Sequence, residues 1–321
     1  MKTEDLMKTS RRDFIKKTSL AAGLIPLLPT PLFSWDSHLE NENLHVSIFS
    51  KHLQFLDYKD TGSMAAEMGF NGVDLTVRPK GHVEPMSVKA DLPKAIREIE
   101  AGGSQCQMIT TSIEKISNPL DVEVIQTAAK ERVQYYRTNW FKYSDAEPMD
   151  VQLDQYAQQI QKLSELNQSL GIVGCYQNHA GRHVGASYWE VKKILESADP
   201  AYFGTQYDIR HAMVEGGFSW QNGLQLLQSQ IKVIVLKDYK WGKVDGDWEA
   251  INVPIGQGMV DFKKYFRILK NYGLKPPVSL HLEYPLGGAE KGNRDITVDK
   301  KVVFDAMKKD LQAVQRLWNE A

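Results

Sequence analysis

The 321-residue sequence is poor in cysteine, in long apolar runs and in net charge. Its two cysteines, Cys106 and Cys175, both lie in apolar β-type stretches. They read as two buried free thiols or as one disulfide, not as a disulfide framework, and no Cys-x-x-Cys pair offers a thiolate zinc site. The apolar stretch near the start, Leu20 to Leu28, is shorter than the ~20 residues that cross a bilayer. With 39 basic and 40 acidic side chains, the chain has no overall basic footprint for nucleic acid. A Gly-rich phosphate loop is missing too. The first β-type run leads into Ser50-Lys51-His52-Leu53, which argues against a doubly wound dinucleotide-binding sheet. No internal repeat, low-complexity tract or domain linker interrupts the chain.

What is present begins with Ser10-Arg11-Arg12-Asp13-Phe14-Ile15-Lys16, then the Leu20–Leu28 run, then Pro29, Pro31 and Phe33. The first seven residues resemble the twin-arginine signal of bacterial exported proteins, with Ile15 in place of Leu, and the run that follows has the length of a cleavable h-region. The resemblance implies a signal peptide over residues 1–35, a mature start between 30 and 43, and a periplasmic protein. Without that segment roughly 285 residues remain, enough for one large α/β barrel or two smaller domains.

From residue 43 to 321, β-type runs alternate with stretches of helical periodicity. The spacing predicts strands over 44–49, 72–77, 105–111, 133–138, 172–178, 203–209, 231–237 and 278–284. It predicts helices over 59–68, 90–101, 121–130, 150–170, 187–197, 217–229, 261–272 and 297–318. Gly171 and Gly273 stand where helix C-termini favour glycine, and Pro276-Pro277 forbids continuation beyond the second. Eight β-α repeats predict a (β/α)8 TIM barrel, whose chemistry sits at the C-terminal ends of its strands.

Polar residues recur at those ends: Gln177-Asn178-His179, Asp208 with His211, Lys237-Asp238, and His281 with Glu283. Strand alternation places His281 with Glu283 on one face, Gln177 with Cys175, and Asp208 with Gln206. Arg78 closes the second strand and has the planar fork that grips a hydroxyl or carboxylate. His82 follows on a loop beside the rim, while Tyr135, Tyr136, Trp140 and Trp241 offer faces for a sugar ring. Each residue also has a plainer reading. Asp208 can cap a turn, Lys237-Asp238 can close a strand at the surface, His281 can be a core histidine, and Arg78 can pair with Asp74. Glu283, between Leu282 and Tyr284, needs a partner wherever it is buried.

In order and spacing, these stretches resemble the sugar isomerase/epimerase superfamily of xylose isomerase-like barrels. The resemblance runs through Gly69-Phe70-Asn71-Gly72-Val73-Asp74-Leu75, Asn178-His179-Ala180-Gly181, Asp208-x-x-His211, Lys237-Asp238 and Leu282-Glu283-Tyr284. In its ketose 3-epimerases a divalent cation is held by Glu, Asp, His and Glu from four consecutive strands. Asp208 and Glu283 match two of these positions; Gln177 and Val235 stand at the other two. The resemblance therefore implies a Mn²⁺, Zn²⁺ or Mg²⁺ ion near Asp208 and Glu283, with His211 or His281, and Gln177, completing the set.

The expected substrate is a small sugar or glycoside, contacted by Arg78, His82, His211, Gln177 and Trp241. The expected chemistry is metal-assisted proton abstraction next to a carbonyl, with Glu283, Lys237 and His179 as acid–base candidates. Gln177 cannot exchange a proton near neutral pH. A keto-sugar lyase or hydratase therefore stands beside the isomerase/epimerase reading. A non-catalytic carbohydrate-binding protein on a decayed barrel is the rival of a different class.

Overall fold

The computed structural model describes residues 43–321; the twin-arginine stretch and the 1–35 segment lie outside the described residues. Eight parallel strands close into a barrel: β1 (Val46–Phe49), β2 (Gly72–Val77), β3 (Gln105–Thr111), β4 (Tyr135–Arg137), β5 (Val173–Gln177), β6 (Phe203–Asp208), β7 (Ile231–Leu236) and, closing onto β1, β10 (Val278–Leu280). β2 and β6 are buried at every residue, as parallel strands covered on both faces must be. All eight expected strands are found, with ends moved by up to four residues.

The outer layer holds α1 (Tyr58–Met68), α2 (Val88–Ala101), α3 (Pro119–Lys130), α4 (Met149–Leu170), α5 (Tyr188–Ile194), α6 (Ile209–Gly216), α7 (Trp220–Leu227), α8 (Phe262–Asn271) and α9 (Lys300–Asn319). Local chemistry sets their ends. Asp57 caps α1 by accepting from the Asp60 N–H at 2.8 Å, and Gly69 ends it at φ 95°. Gly171 ends α4 at φ 69°, a left-handed conformation that favours glycine. The short α6 is not among the sequence-based expectations.

Two cores follow from strand alternation. The main one lies between barrel and helices. A small separate cluster of Met108, Cys175 and Val233, with Tyr135 and Val173 packed against it, comes from the inward faces of β3, β5 and β7. Above it, toward the strand ends, inward positions turn polar: Asp74, Arg137, Gln177 and Asp208 are all buried. Both cysteines are buried free thiols.

A hairpin that the sequence reading omits follows β7. β8 (Asp238–Val244) and β9 (Asp247–Val253) pair antiparallel across Asp245-Gly246, at φ 51° and 98°. Two positive φ values in a two-residue loop are the Asp-Gly signature of a tight hairpin turn. Asp238 anchors its base. Its carboxylate accepts from the backbone N–H groups of Tyr239, Gly256, Gly258 and Val260 at 2.8–3.1 Å. Asp238 is thus a clamp on the return loop, and Gly258 lies so close that any Cβ there would strike the carboxylate.

Behind this loop, Asp310 of α9 is buried, accepting from the Tyr284 hydroxyl at 3.0 Å and the Ile255 N–H at 3.3 Å. Burial pushes its carboxyl up to about 7 despite those two donors. The unfolded value is about 3.9, so the folded state binds this proton more tightly and stability falls as pH rises from there through 7. Asp310→Asn cannot ionise and keeps one of the two hydrogen bonds, since its amide has a single acceptor oxygen. Its melting temperature relative to the parent is therefore expected to be higher at pH 8 than at pH 5, read by calorimetry at both values. A difference independent of pH would show that Asp310 titrates alike in both states.

Candidate active site

At the C-terminal rim, a cavity of about 50 Å³ is lined by side chains from many strand ends, among them Lys51, Arg78, Arg137, His179, Lys237 and Glu283. At its centre stands Lys237, just past β7, with its side chain 4% exposed. Its Nζ lies 3.2 Å from Asp208 Oδ2, 3.2 Å from Glu283 Oε2 and 2.9 Å from His211 Nε2. Lys51, from the turn after β1, reaches the other Glu283 oxygen at 2.9 Å. Burial alone would raise the Glu283 pKa, but the two ammoniums outweigh it and hold the carboxyl well below its usual range. Asp208, fully enclosed, is pushed up by burial against the pull of Lys237.

Asp208 also caps α6. Its Oδ1 accepts from the His211 N–H at 3.1 Å, and it exchanges two hydrogen bonds with Asn178 across the strand ends. The capping reading and the site reading thus describe one residue. His211, at the start of α6, lies between Arg210 Nη1 and Lys237 Nζ. Burial and these cations hold its imidazole neutral.

Two more imidazoles line the cavity. The His179 Nδ1–H donates to the Ala180 carbonyl at 2.8 Å, which leaves Nε2 as an acceptor. The Ser279 hydroxyl gives its hydrogen to Asp74 Oδ2 at 2.6 Å, so His281 donates Nε2–H to Ser279 at 3.1 Å. Asp74, itself taking a hydrogen bond from Thr110, thereby orients His281 through one hydroxyl. The His281 Nδ1 is buried without a hydrogen-bond partner, 3.8 Å from Glu283 Oε1. Burial brings both His179 and His281 down to about 3, so both are neutral near pH 7.

The structure brings together Arg78, Gln177, His179, Lys237, His281 and Glu283 on the cavity, with Asp208 and His211 directly behind Lys237. It does not bring His82 or Trp241 to that cavity. His82 is buried against Ser50 and Thr76 at 3.1 and 3.3 Å, beneath the loop rather than over the rim. Trp241 sits on β8, 44% exposed. Arg78 makes no ion pair with Asp74. Three participants are absent from the sequence reading of the site: Lys51, Arg137 and the Asp74–Ser279 pair.

The residues do not fit the divalent cation expected from the sequence. Asp208, Glu283 and His211 close around an ammonium instead. Gln177 donates its amide N–H to Asp208 at 2.8 Å and its oxygen accepts from Arg137 at 3.2 Å. Val235, beside Asp208 and Ser279 in register, has no donor atom. Among the described residues no group of three or more His, Cys, Asp or Glu is arranged to hold a metal ion. A dication here would face Lys51, Lys237, Arg78 and Arg137 at close quarters.

The fold is a closed (β/α)8 barrel with a polar, charged cavity at the C-terminal ends of its strands. The chain belongs to the xylose isomerase-like TIM barrel family, whose profile matches residues 63–297. No functionally curated protein matches it in sequence. Among solved structures it is similar to D-psicose 3-epimerase with D-tagatose from Clostridium cellulolyticum H10, at 12% identity, 86% coverage of this chain, 99% of that one, and TM-score 0.65. It is likewise similar to a xylose isomerase-like TIM barrel protein from Mycobacterium smegmatis in complex with magnesium, at 10% identity, 86% and 98% coverage, and TM-score 0.63. The third is the probable 3-DHS dehydratase from Bacillus anthracis, at 14% identity, 84% and 98% coverage, and TM-score 0.62. At such identities the likeness is one of fold.

Two measurements check the ammonium-centred site. Elemental analysis after incubation with Mn²⁺, Zn²⁺ or Mg²⁺ is expected to find far less than one equivalent, with no rise in melting temperature; a stoichiometric cation lost in Asp208→Ala would contradict it. Lys237→Met leaves Asp208 without its ammonium in the interior and is expected to cost about 3–5 kcal/mol in denaturant unfolding.

Proposed function

We propose that this chain is a sugar-active enzyme that removes a proton from the carbon next to a carbonyl, in the manner of an isomerase or epimerase. The observation that carries the reading is the pairing, in one rim cavity, of the Lys237 ammonium with neutral imidazoles that have an unused lone pair. The family supports it, as does the likeness to a ketose 3-epimerase.

In this reading Lys237 donates a hydrogen bond to the substrate carbonyl oxygen, which acidifies the neighbouring C–H. The His281 Nδ1, backed by Ser279 and Asp74, takes the carbon-bound proton, and Lys237 gives a proton to the oxygen of the resulting enediolate. Glu283, pinned by two ammoniums, stays ionised, fixes Lys237 and offsets the charge that develops on His281. Return of the proton to the other carbon, with the hydroxyl on its neighbour giving its hydrogen back to the Lys237 amine, completes an isomerisation. An epimerisation needs a donor on the opposite face of the same carbon, a role that falls to His179 once its Nε2 has taken a proton from solvent.

A second reading, elimination of a β-leaving group from a keto-sugar, is favoured by Gln177. Its amide removes one of the two carboxylates that 3-epimerases use, and elimination needs a base on one face only. The similarity to a probable dehydratase is in keeping with it. The Ser10–Lys16 motif supports export by the twin-arginine pathway and a periplasmic place of work, where a free sugar or glycoside is the natural substrate.

The test is proton NMR of keto-sugars and keto-glycosides in D₂O with purified protein. Loss of one C–H signal next to the carbonyl is expected, and Lys237→Met and His281→Asn are each expected to slow it by about 10²–10⁴-fold. A new vinylic signal in place of a simple exchange would select elimination. Tight sugar binding with no exchange on any member of the panel would leave a carbohydrate-binding protein.

A further inference from the structure

Two guanidiniums on this cavity have no carboxylate of their own. Arg137, the last residue of β4, is 4% exposed. Among the described residues its one hydrogen bond runs from Nη1 to the neutral Gln177 oxygen at 3.2 Å, and its buried Nε has no partner. Arg78, just past β2, makes no hydrogen bond or ion pair through its side chain among the described residues. Its guanidinium lies over the Phe49 ring at 5.4 Å, as that of Arg137 lies over Trp140 at 4.3 Å. Both rings orient the forks and neither neutralises them.

The nearby carboxylates are committed elsewhere. Glu283 is shared by Lys51 and Lys237, Asp208 by Lys237 and Gln177, and Asp74 takes its hydrogen bonds from Thr110 and Ser279, so that Asp74 and Glu283 attract the two guanidiniums without a direct pair. Burial and the neighbouring Arg78 pull Arg137 down to about 9, so it remains charged at neutral pH and the pair repels itself. Buried cations normally come paired, and two adjacent guanidiniums without an anion cost stability unless a ligand supplies one.

We infer that Arg137 and Arg78 form an anion seat in the rim cavity, and that the ligand is a sugar acid whose carboxylate enters between them. A planar carboxylate matches the guanidinium fork through two parallel hydrogen bonds. With the acid group held on the Arg137 side, the adjoining carbons face Lys237 and His281 across the same cavity. The inference deepens the sugar reading of this site and rests on it in the choice of probe.

Isothermal titration calorimetry with D-glucuronate and D-galacturonate, against D-glucose and D-galactose, tests it on purified protein. The uronates are expected to bind at least tenfold more tightly than their neutral counterparts. That preference is expected to shrink to less than threefold in Arg137→Lys, which keeps the charge and loses the fork. Arg78→Met, at a less buried position, is expected to reduce it in the same direction, and melting curves of both variants confirm that they fold. Equal affinity for acid and neutral sugar, or no binding of either, overturns the inference. Tighter binding of inorganic phosphate or D-glucose 6-phosphate than of either uronate overturns the carboxylate assignment. Binding is read without turnover, so absence of C–H exchange would sink the catalytic reading and leave this one standing.

Discussion

The site depends on one buried ammonium. Lys237 is almost fully enclosed, and removing an ammonium from water costs several kcal/mol unless fixed partners replace the solvent. Here Asp208 from β6 and Glu283 from beyond β10 supply opposite charge, and His211 from α6 supplies a neutral acceptor. Those partners are themselves fixed, Asp208 by Asn178 and by its cap on α6, Glu283 by Lys51. Three strand ends and a helix start therefore meet at one nitrogen, and the first rim turn joins them through Glu283. Moving any of them exposes a charge that the interior cannot solvate.

Below that nitrogen the barrel interior is ordered by polarity. Met108, Cys175 and Val233 form a dry floor. The next inward positions hold Asp74, Ser279 and Thr110, joined by hydroxyl hydrogen bonds. Because Ser279 spends its hydrogen on Asp74, His281 must donate Nε2–H and present Nδ1 toward the rim. The tautomer of a rim imidazole is thus decided by a carboxylate from β2, the strand on the other side of β1. Parallel strands closed into a ring make that reach possible, since inward side chains from non-adjacent strands converge.

Much of this was legible in the sequence because barrel strands are covered on both faces and read as apolar runs. The residues that break such a run at its end, Asp208, Lys237, His281 and Glu283, then stand out. What was not legible had a weaker signal. Arg137 ends a three-residue strand behind Tyr135-Tyr136, two aromatics that draw attention as sugar platforms instead. Lys51 reads as an ordinary loop lysine until the barrel closes Glu283 over it. The hairpin had a signal, Asp245-Gly246 between alternating residues, which the eight-repeat pattern overshadowed. The substitutions at Gln177 and Val235 were visible, but a missing ligand does not say what takes its place. Only the geometry shows Lys237 among the partners assigned to a cation.

That exchange alters the chemistry and charge of the rim together. A metal ion polarises a carbonyl but carries no proton of its own, whereas an ammonium polarises less strongly and can also donate. A site built around Lys237 therefore needs fewer separate acid groups, which makes the loss of a carboxylate at Gln177 intelligible. The charge balance shifts as well. Lys51 and Lys237 together match Glu283 and Asp208, so nothing is left over for Arg78 and Arg137 except the buried Asp74, which neither of them reaches. In water such an excess would be screened. In a 50 Å³ cavity walled by Phe49 and Trp140 it is a standing preference for an anion. In the reaction proposed above, the ammonium that serves as proton donor at the centre of the site thus leaves the guanidiniums at its edge free for the anion inferred there.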